Sequence, residues 1–572
     1  MVTLKKRLLY SSIFNDEKQH ADFYLRQIST LIGLRLGSAL IHAALNSSFP
    51  LSEPEFVDRW FSEPNRDIAR KLAEYLKGGS ALLNAYSSIK LNEAVLGLSP
   101  IEEGEEGPEV EVLLLKAYLV FNDEQYDKES ACVHQLRELD ISDEEKIIGF
   151  VTSFSFPDYD LANYDTRIVI SAQMYKATEF FKYLENKNLK HHLRMFLEKY
   201  GVESWREWLK NYYAFVLPLT SKEYHGSFYD ITLDPTADNY GKNLHYIKTL
   251  SLGDEEDYSM HDFVKMRSNP LYQIDVDQYQ VLYKLFAIEK LFKSIVFEFS
   301  LEINNALPKA QQVSNFRSEF CGNFSENVIL YKVMADSFSE EWIHLTGKTF
   351  VENGHSGEPD YYLRRDGKVY LFESKDVVLR GSTKQSRNYI EISAALKKKF
   401  WYEEKTKKTV NRSIKQLIQM IENSQNAEYE KLDSAINLTS CRYYPIIICH
   451  DRQFDSLGVN SLLAEWWEQE LSNTGLIEIK DRIARPVVLN IDNLITFQDI
   501  FLSETINLSD LIEGYWTMVD ENRRGSTWAK EINDNTYQSF LSFSDFLTDY
   551  IAERNLWRIP SFIMPYGAEA LK

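Results

Sequence analysis

Four cysteines in 572 residues, Cys132, Cys321, Cys441 and Cys449, are too few and too scattered to staple a fold. No two of them form a CxxC, so no zinc site is expected and a reduced, cytoplasmic protein is the simplest reading. Long apolar runs are missing as well. "YYPIIIC" is among the longest, well short of the ~18 residues that a membrane span needs. The first stretch, "MVTLKKRLLYSSIFNDEKQH", has basic residues but neither an apolar core nor a small-residue cleavage site, and is not read as a signal peptide. There is no HExxH, which disfavours a metalloprotease, and there is no coiled-coil heptad, internal repeat or low-complexity tract. Positive charge is scarce too: 64 Lys and Arg stand against 85 Asp and Glu, a net charge of −21. That balance argues against a protein that coats nucleic acid along its whole surface.

What is present is ordinary for a folded chain, with 44% apolar and 26% charged residues. At ~150 residues per domain the length suggests two to four domains. Residues 1 to about 95 read as helical, with one helix over 17–45 that ends near Asn46. The acidic stretch "IEEGEEGPEVE" at 101–111 reads as an exposed loop that divides the N-terminal region. Strands are expected at 145–156 and 165–173, and helix over 175–201. That helix carries His191 and His192, which point about 100° apart and are placed at the surface rather than on a metal. The segment 221–260 is polar and turn-rich. A single amphipathic helix is expected over 278–307, from the spacing of Val281, Leu285, Ile288, Phe292, Ile295 and Phe299. Pro308 follows it, and a boundary falls near 308–315.

Beyond 315 the pattern becomes mixed α/β. A helix over 324–345 stops at Gly347, a strand "KTFVE" follows, and then a hairpin. A long basic helical region spans 388–424, followed by a strand at 443–451, a helix at 458–472, a strand at 484–494 and an aromatic-rich helical tail over 501–572. "HLTGKTF" contains Gly-Lys-Thr, but a phosphate-binding loop needs a glycine where Trp342 stands, so no ATP site is assigned. The charge is also uneven. From Arg364 to Lys415 there are fifteen Lys and Arg and six Asp and Glu, a local balance of +9, which leaves −30 on the remainder. Such an island can hold a polyanion at one place or form a solvated helix face.

The hairpin "GEPDYYLRRDGKVYLFESKD", 357–376, carries the chemistry. Asp366-Gly367 is a strong two-residue type I′ turn signal. With that turn Arg365 pairs with Lys368, and Asp360 falls opposite Glu373. Opposed Cβ atoms lie roughly 4.5–5.5 Å apart, and Lys375 shares the face of Glu373 by the period of two. Tyr361, Leu363, Tyr370 and Phe372 occupy the other face, while Val369 and Leu371 accompany Glu373, so the strands are expected to be buried. Two carboxylates at this separation repel when ionised, and a buried charge cluster is costly. A divalent cation offsets the repulsion, because Mg²⁺ takes one or two carboxylates and completes its shell with water and phosphate oxygens. Lys375 can then orient the attacking water and offset developing charge, as phosphodiester hydrolysis requires. The alternative is a solvated ion-pair patch on a surface hairpin.

Pro359-Asp360 followed by Glu373-Ser374-Lys375 resembles the PD-(D/E)XK nuclease superfamily, the fold of many restriction endonucleases, over roughly residues 315–500. The resemblance implies an α/β core in the order αβββαβ. The pattern read above places a large, mostly helical region (1–310) before it, expected to serve recognition, regulation or assembly, and a helical extension (501–572) after it. It implies a Mg²⁺- or Mn²⁺-dependent endonuclease in which Asp360 and Glu373 bind the metal and Lys375 assists the water. Glu326 is the candidate for the acidic residue that many members carry on the preceding helix, with Glu340 and Glu341 as alternatives. Gln416 is a candidate for the glutamine that some members carry on the following helix, though a polar solvent face explains it equally well. Lys397, Lys398, Lys399, Arg412 and Lys415 are candidate phosphate contacts, Trp401 and Tyr402 candidate stacking platforms, and His355 a loop residue near Asp360. DNA is the expected substrate, in defence against foreign DNA or in repair, with a homodimer or a defence protein as partner and no membrane. A catalytically silent scaffold and an RNA-cleaving enzyme are the other readings.

Overall fold

The structure is a computed structural model that describes residues 6–45, 53–187, 189–220, 229–253, 261–406, 408–523 and 538–572. Its centre is a mixed five-stranded sheet built from the C-terminal half: β1 (Ile343–Thr346), β2 (Tyr361–Arg365), β3 (Lys368–Lys375), β6 (Arg442–Cys449) and β7 (Val487–Asn490). Two further strands, β4 (Tyr402–Lys405) and β5 (Lys408–Asn411), form a separate antiparallel ribbon. The order across the main sheet is β7-β6-β3-β2-β1. The first three strands in sequence are antiparallel neighbours; β6 lies parallel to β3, and β7 parallel to β6. The chain is thus mixed α/β with a mixed sheet.

The sheet buries both faces, as the hairpin pattern predicts. Tyr361, Leu363, Tyr370 and Phe372 pack with Ile446, Ile448 and Leu489 in a core that also holds Leu34, Phe180, Ile295 and Ile551. Tyr362, Val369 and Leu371 pack with Ile447, Ile414, Leu417 and Trp467 in a second core. Because β6 is central and covered on both sides, it reads as an unbroken apolar run rather than an alternation.

Several elements differ from expectation. Residues 145–156 and 165–173 are not strands: they belong to helices Asp143–Ser155 and α1 (Thr166–Asn186). Ser142 and Glu145 form a reciprocal capping box at the first, and Asp165 caps the second. Buried residues surround α1 on most sides, so its apolar pattern has no helical period to read. His192 is buried, not superficial, and its Nε2 lies 3.0 Å from Asn304 Oδ1. The segment 278–307 opens as a strand, Gln278–Val281, paired with Leu271–Asp275 across a short turn, and only then becomes three short helices with a π-helical turn between the last two. Its apolar residues are nevertheless core, from Leu285 to Phe299. The first long helix is Thr30–Leu45; Asn46 lies outside the described residues. Pro108 starts a helix, Pro108–Glu138, so the acidic loop ends at Gly107.

Around the hairpin, α2 consists of three consecutive helical segments, Phe316–Phe320, Cys321–Leu330 and Tyr331–Ser337. "IHLT" is strand β1, and "KTFVE" falls in a helix, Gly347–Glu352, capped by the Thr346 hydroxyl. Gly347 is therefore a helix start rather than a stop. Its N–H donates to the Asp360 carbonyl at 3.0 Å, and a Cβ there would lie 3.1 Å from the Pro359 carbonyl. The basic region is two helices, α3 (Tyr389–Phe400) and α4 (Ser413–Gln425), separated by the β4–β5 ribbon. The helices α5 (Val459–Leu471) and α6 (Ile491–Leu502) flank β7, and the described residues of the tail are mainly helical, over Leu508–Arg523, Phe543–Glu553 and Ile563–Ala570.

A buried ionic seam joins the N-terminal half to the ends of the parallel strands. Lys176 of α1 meets Asp492 of α6 at 2.6 Å, each side chain 4% exposed. Lys293 reaches Asp451 at 3.1 Å, Arg452 reaches Glu289 at 3.0 Å, and Lys384 reaches Asp160 at 2.7 Å. Breaking such a pair by removing one member leaves a buried charge without a partner, at about 3–5 kcal/mol. Lys176→Met is thus expected to lower unfolding stability by about that amount. The double variant Lys176→Met/Asp492→Leu should recover most of the loss; urea denaturation of the two variants beside the wild type measures it.

Candidate active site

The turn at the hairpin tip sets the geometry of everything at its open end. Asp366 and Gly367 both have positive φ, 48° and 74°, as a type I′ turn requires. The ladder runs from Arg365↔Lys368 to Tyr361↔Phe372, and one step further brings Asp360 level with Glu373. Asp360 Oδ2 accepts the Ser374 backbone N–H at 2.6 Å, so the carboxylate is clamped onto β3. Lys375 Nζ donates to Glu373 Oε1 and, at 3.4 Å, to Gln416 Oε1 on α4. Glu373 is 2% exposed, and its other oxygen is buried with no hydrogen-bond partner among the described residues.

The electrostatics follow from this crowding. Burial and the neighbouring charge of Glu373 push the Asp360 carboxyl well above the usual range, with Lys375 opposing and Glu326 adding. Burial raises Glu326 too, with Glu373 and Glu358 reinforcing the shift and Lys375 resisting it. Burial disfavours the Lys375 ammonium, but Glu373 and Asp360 outweigh that and raise it overall, against Arg412. The site thus sets Asp360 and Glu373 against one lysine, with Glu326 within electrostatic reach, an excess of acidic groups at a largely buried place.

A divalent cation suits that excess. The unpartnered oxygen of Glu373 is a free donor atom, and Asp360, on the paired strand, supplies a second carboxylate. Hard cations take oxygen ligands, and Mg²⁺ needs only one or two carboxylates from protein. Among the described residues no three His, Cys, Asp or Glu side chains converge into a ready cage, so water and substrate oxygens would have to complete the shell.

The remaining candidates divide. Glu326 and Gln416 belong with the site. Glu341 does not: it pairs with Arg365 at 3.0 Å, at the turn end of the hairpin, and Glu340 is exposed beside it. Lys397 lies over the rings of Trp401 and Trp466, 5.5 and 5.6 Å from their centroids. Lys415 pairs with Glu470 at 3.0 Å, and Trp401 Nε1 donates to the same carboxylate at 2.8 Å. Trp401 is stacked on Trp466 and is packing, not a free platform; Tyr402 lies under Lys415. Arg412 bonds Glu403. Lys398 is exposed and Lys399 half-buried at the end of α3. His355 packs edge-on against Phe350 and Tyr429.

One group went unread in the sequence. Asp376, next after Lys375, accepts from Arg317 and Ser325 of α2. Burial works against its ionisation, but Arg317 holds the carboxyl down at about 2. Ser374 Oγ lies 2.9 Å from His450 Nε2, and burial pushes that imidazole down to about 4. Arg317, Ser325, Asp376 and His450 border a cleft of about 40 Å³, lined by both polar and apolar side chains, beyond the carboxyl ends of the parallel strands. They brace the end of β3 from the face opposite Glu373 and Lys375. The period of two gave their direction; their partners on α2 and after β6 had no local signal.

Compared with models of protein families, with curated proteins and with solved structures, the chain matches none.

The raised carboxyls predict a pH dependence. A group whose folded-state pKa lies above its unfolded value binds more protons when folded, so stability falls as pH rises past the unfolded value of ~4 toward the folded one. In EDTA, Asp360→Asn is expected to remove this contribution, and its advantage over the wild type should grow as pH rises. Parallel curves in urea titrations from acid to mildly alkaline pH would show that Asp360 carries no such shift.

Proposed function

We propose that this protein is a metal-dependent nuclease that hydrolyses phosphodiester bonds, with DNA as substrate. The observation that carries the reading is the end of the hairpin. Asp360 is fixed on the Ser374 amide beside a Glu373 whose one oxygen binds Lys375 and whose other oxygen is free. Mg²⁺ or Mn²⁺ bound there would supply a Lewis acid for the phosphate and a more acidic water. Asp360 and Glu373 hold the ion, with Glu326 at the edge of the site. Lys375, kept charged by its carboxylate neighbours, orients the incoming water and offsets charge gathering on the phosphate oxygens. Gln416 holds the Lys375 side chain toward the site. The succession of α2, β1, the helix Gly347–Glu352, β2, β3, the α3–α4 layer with its ribbon, and β6 supports the resemblance to the PD-(D/E)XK superfamily noted from the motif, with one helix more than the order αβββαβ. So does the seat of Glu326 on α2.

Purified protein is expected to nick supercoiled plasmid with Mg²⁺ or Mn²⁺ and not with EDTA. Lys375→Ala and Asp360→Ala should each slow nicking by about 10²-fold or more, as the loss of a charge-stabilising group does elsewhere. Structured RNA tested beside the plasmid should be cut far more slowly. Folded wild-type protein that neither cuts DNA nor binds divalent metal would overturn the reading.

A further inference from the structure

The β4–β5 ribbon stands between α3 and α4 and is rooted at the mouth of the site. Its base is closed by the Arg412 N–H on the Trp401 carbonyl at 3.0 Å and by the Arg412–Glu403 contact. Arg412 lies within electrostatic reach of Lys375 on one side and of Lys399 on the other, and Lys399 in turn feels Arg380. From its base on α4, three residues ahead of Gln416, the ribbon projects into solvent, with Glu404, Lys405, Lys408 and Thr409 all exposed.

Its cross-strand pairing is unusual. Lys405 is directly opposite Lys408, and like charges in that position destabilise an antiparallel pair. Lys405 has one distant partner, Glu403 at 3.6 Å, which Arg412 already occupies. Among the described residues no carboxylate pairs with Lys408, Lys398 or Lys399. In a chain of net charge −21, these cations have among the described residues only Glu403 acting on Lys405 and Lys399, a carboxylate that Arg412 already holds, and Arg412 links Lys399 electrostatically to Lys375. A ligand of repeated negative charge completes such a surface.

We infer that the β4–β5 ribbon grips duplex DNA, lying in the major groove with Lys405 and Lys408 on phosphates of the flanking backbones and Lys398 and Lys399 continuing the track toward Lys375. This inference rests on the nuclease reading for its direction. The shape selects the nucleic acid. The strands of a ribbon lie ~4.8 Å apart, and the B-form major groove, ~12 Å wide, admits a two-stranded ribbon. The major groove of A-form RNA is deep and too narrow for side chains to read. Lysines at the ribbon's end are point charges, so the grip positions the duplex and carries little sequence preference.

The test is binding of a fluorescent 30-base-pair DNA duplex in EDTA, where no cutting occurs, followed by anisotropy from 50 to 200 mM salt. The slope of log affinity against log salt changes by ~0.9 per phosphate contact. Lys405→Gln/Lys408→Gln is expected to flatten it by about 1.8 and to weaken binding by about 10- to 100-fold near 0.1 M salt. Lys405→Arg/Lys408→Arg should keep the wild-type slope, and Lys248→Gln/Lys431→Gln, exposed lysines elsewhere, should leave it unchanged. Circular dichroism melts of all variants establish that folding is intact. Equal affinity and slope for the wild type and the glutamine variant would overturn the ribbon inference, as would equal loss of binding to duplex RNA and DNA. Absence of duplex binding by the wild type also overturns it; if the plasmid is still nicked in Mg²⁺, the nuclease reading survives that result, and if it is not, both fall.

Discussion

The repulsion between Asp360 and Glu373 is the constraint around which the C-terminal half is arranged. A two-residue turn at Asp366-Gly367 forces the two carboxylates level on neighbouring strands, and the sheet then buries one of them almost completely. Left alone, that arrangement would be paid for in lost stability. The chain offsets it from several directions: the Ser374 amide on Asp360, the Lys375 ammonium on Glu373, and Gln416 holding that ammonium. None of these neutralises the site, because Glu326 and Glu358 add further negative charge. An excess of this kind is what a bound cation would offset, and without one burial and the neighbouring carboxylates raise the carboxyls of Asp360 and Glu326.

The N-terminal half bears on this geometry even though none of its described residues belongs to the site. Its helices complete the core beneath one face of the sheet, and its charges interlock with Asp451, Arg452 and Asp492 just beyond the ends of β6 and β7. Arg317 and Ser325 of α2 continue the bracing onto Asp376. The stretch that follows Lys375 is therefore fixed from the side opposite the chemistry. A buried ionic seam is a poor source of net stability, since desolvation cancels much of the Coulomb gain, but it permits few alternative alignments of the two halves.

The hairpin was legible because two local signals coincided there: a turn dipeptide with a defined geometry, and a strict period of two that sorted residues into two faces. Glu326 and Gln416 were reachable only through the family pattern. The elements misread were those whose burial is not one-sided. Helix α1 is covered on most of its circumference, and β5 follows a turn with no Gly, Pro or Asn to mark it, so the basic stretch reads as one helix. Gly347 shows the same limit at a single residue: next to an apolar run it resembles a helix stop, whereas its place is set by the backbone of Asp360 thirteen positions further along. The basic island likewise divides only in three dimensions, into lysines spent on Trp401, Trp466 and Glu470 and lysines left open.

That division bears on how an acidic protein can handle a polyanion. On the proposed nuclease reading, the acidic site would repel phosphate unless a cation is bound there, while Lys398, Lys399, Lys405 and Lys408 would attract the backbone alongside. Grip and chemistry are thereby separated in space and in their requirements: the first depends on ionic strength, the second on a divalent ion. By linkage, an ion that removes the repulsion strengthens nucleic-acid binding by the same factor that nucleic acid strengthens binding of the ion. On this reading the net charge of −21 is part of the device, because it disfavours approach of DNA elsewhere and leaves the ribbon and α3 as the favoured place among the described residues.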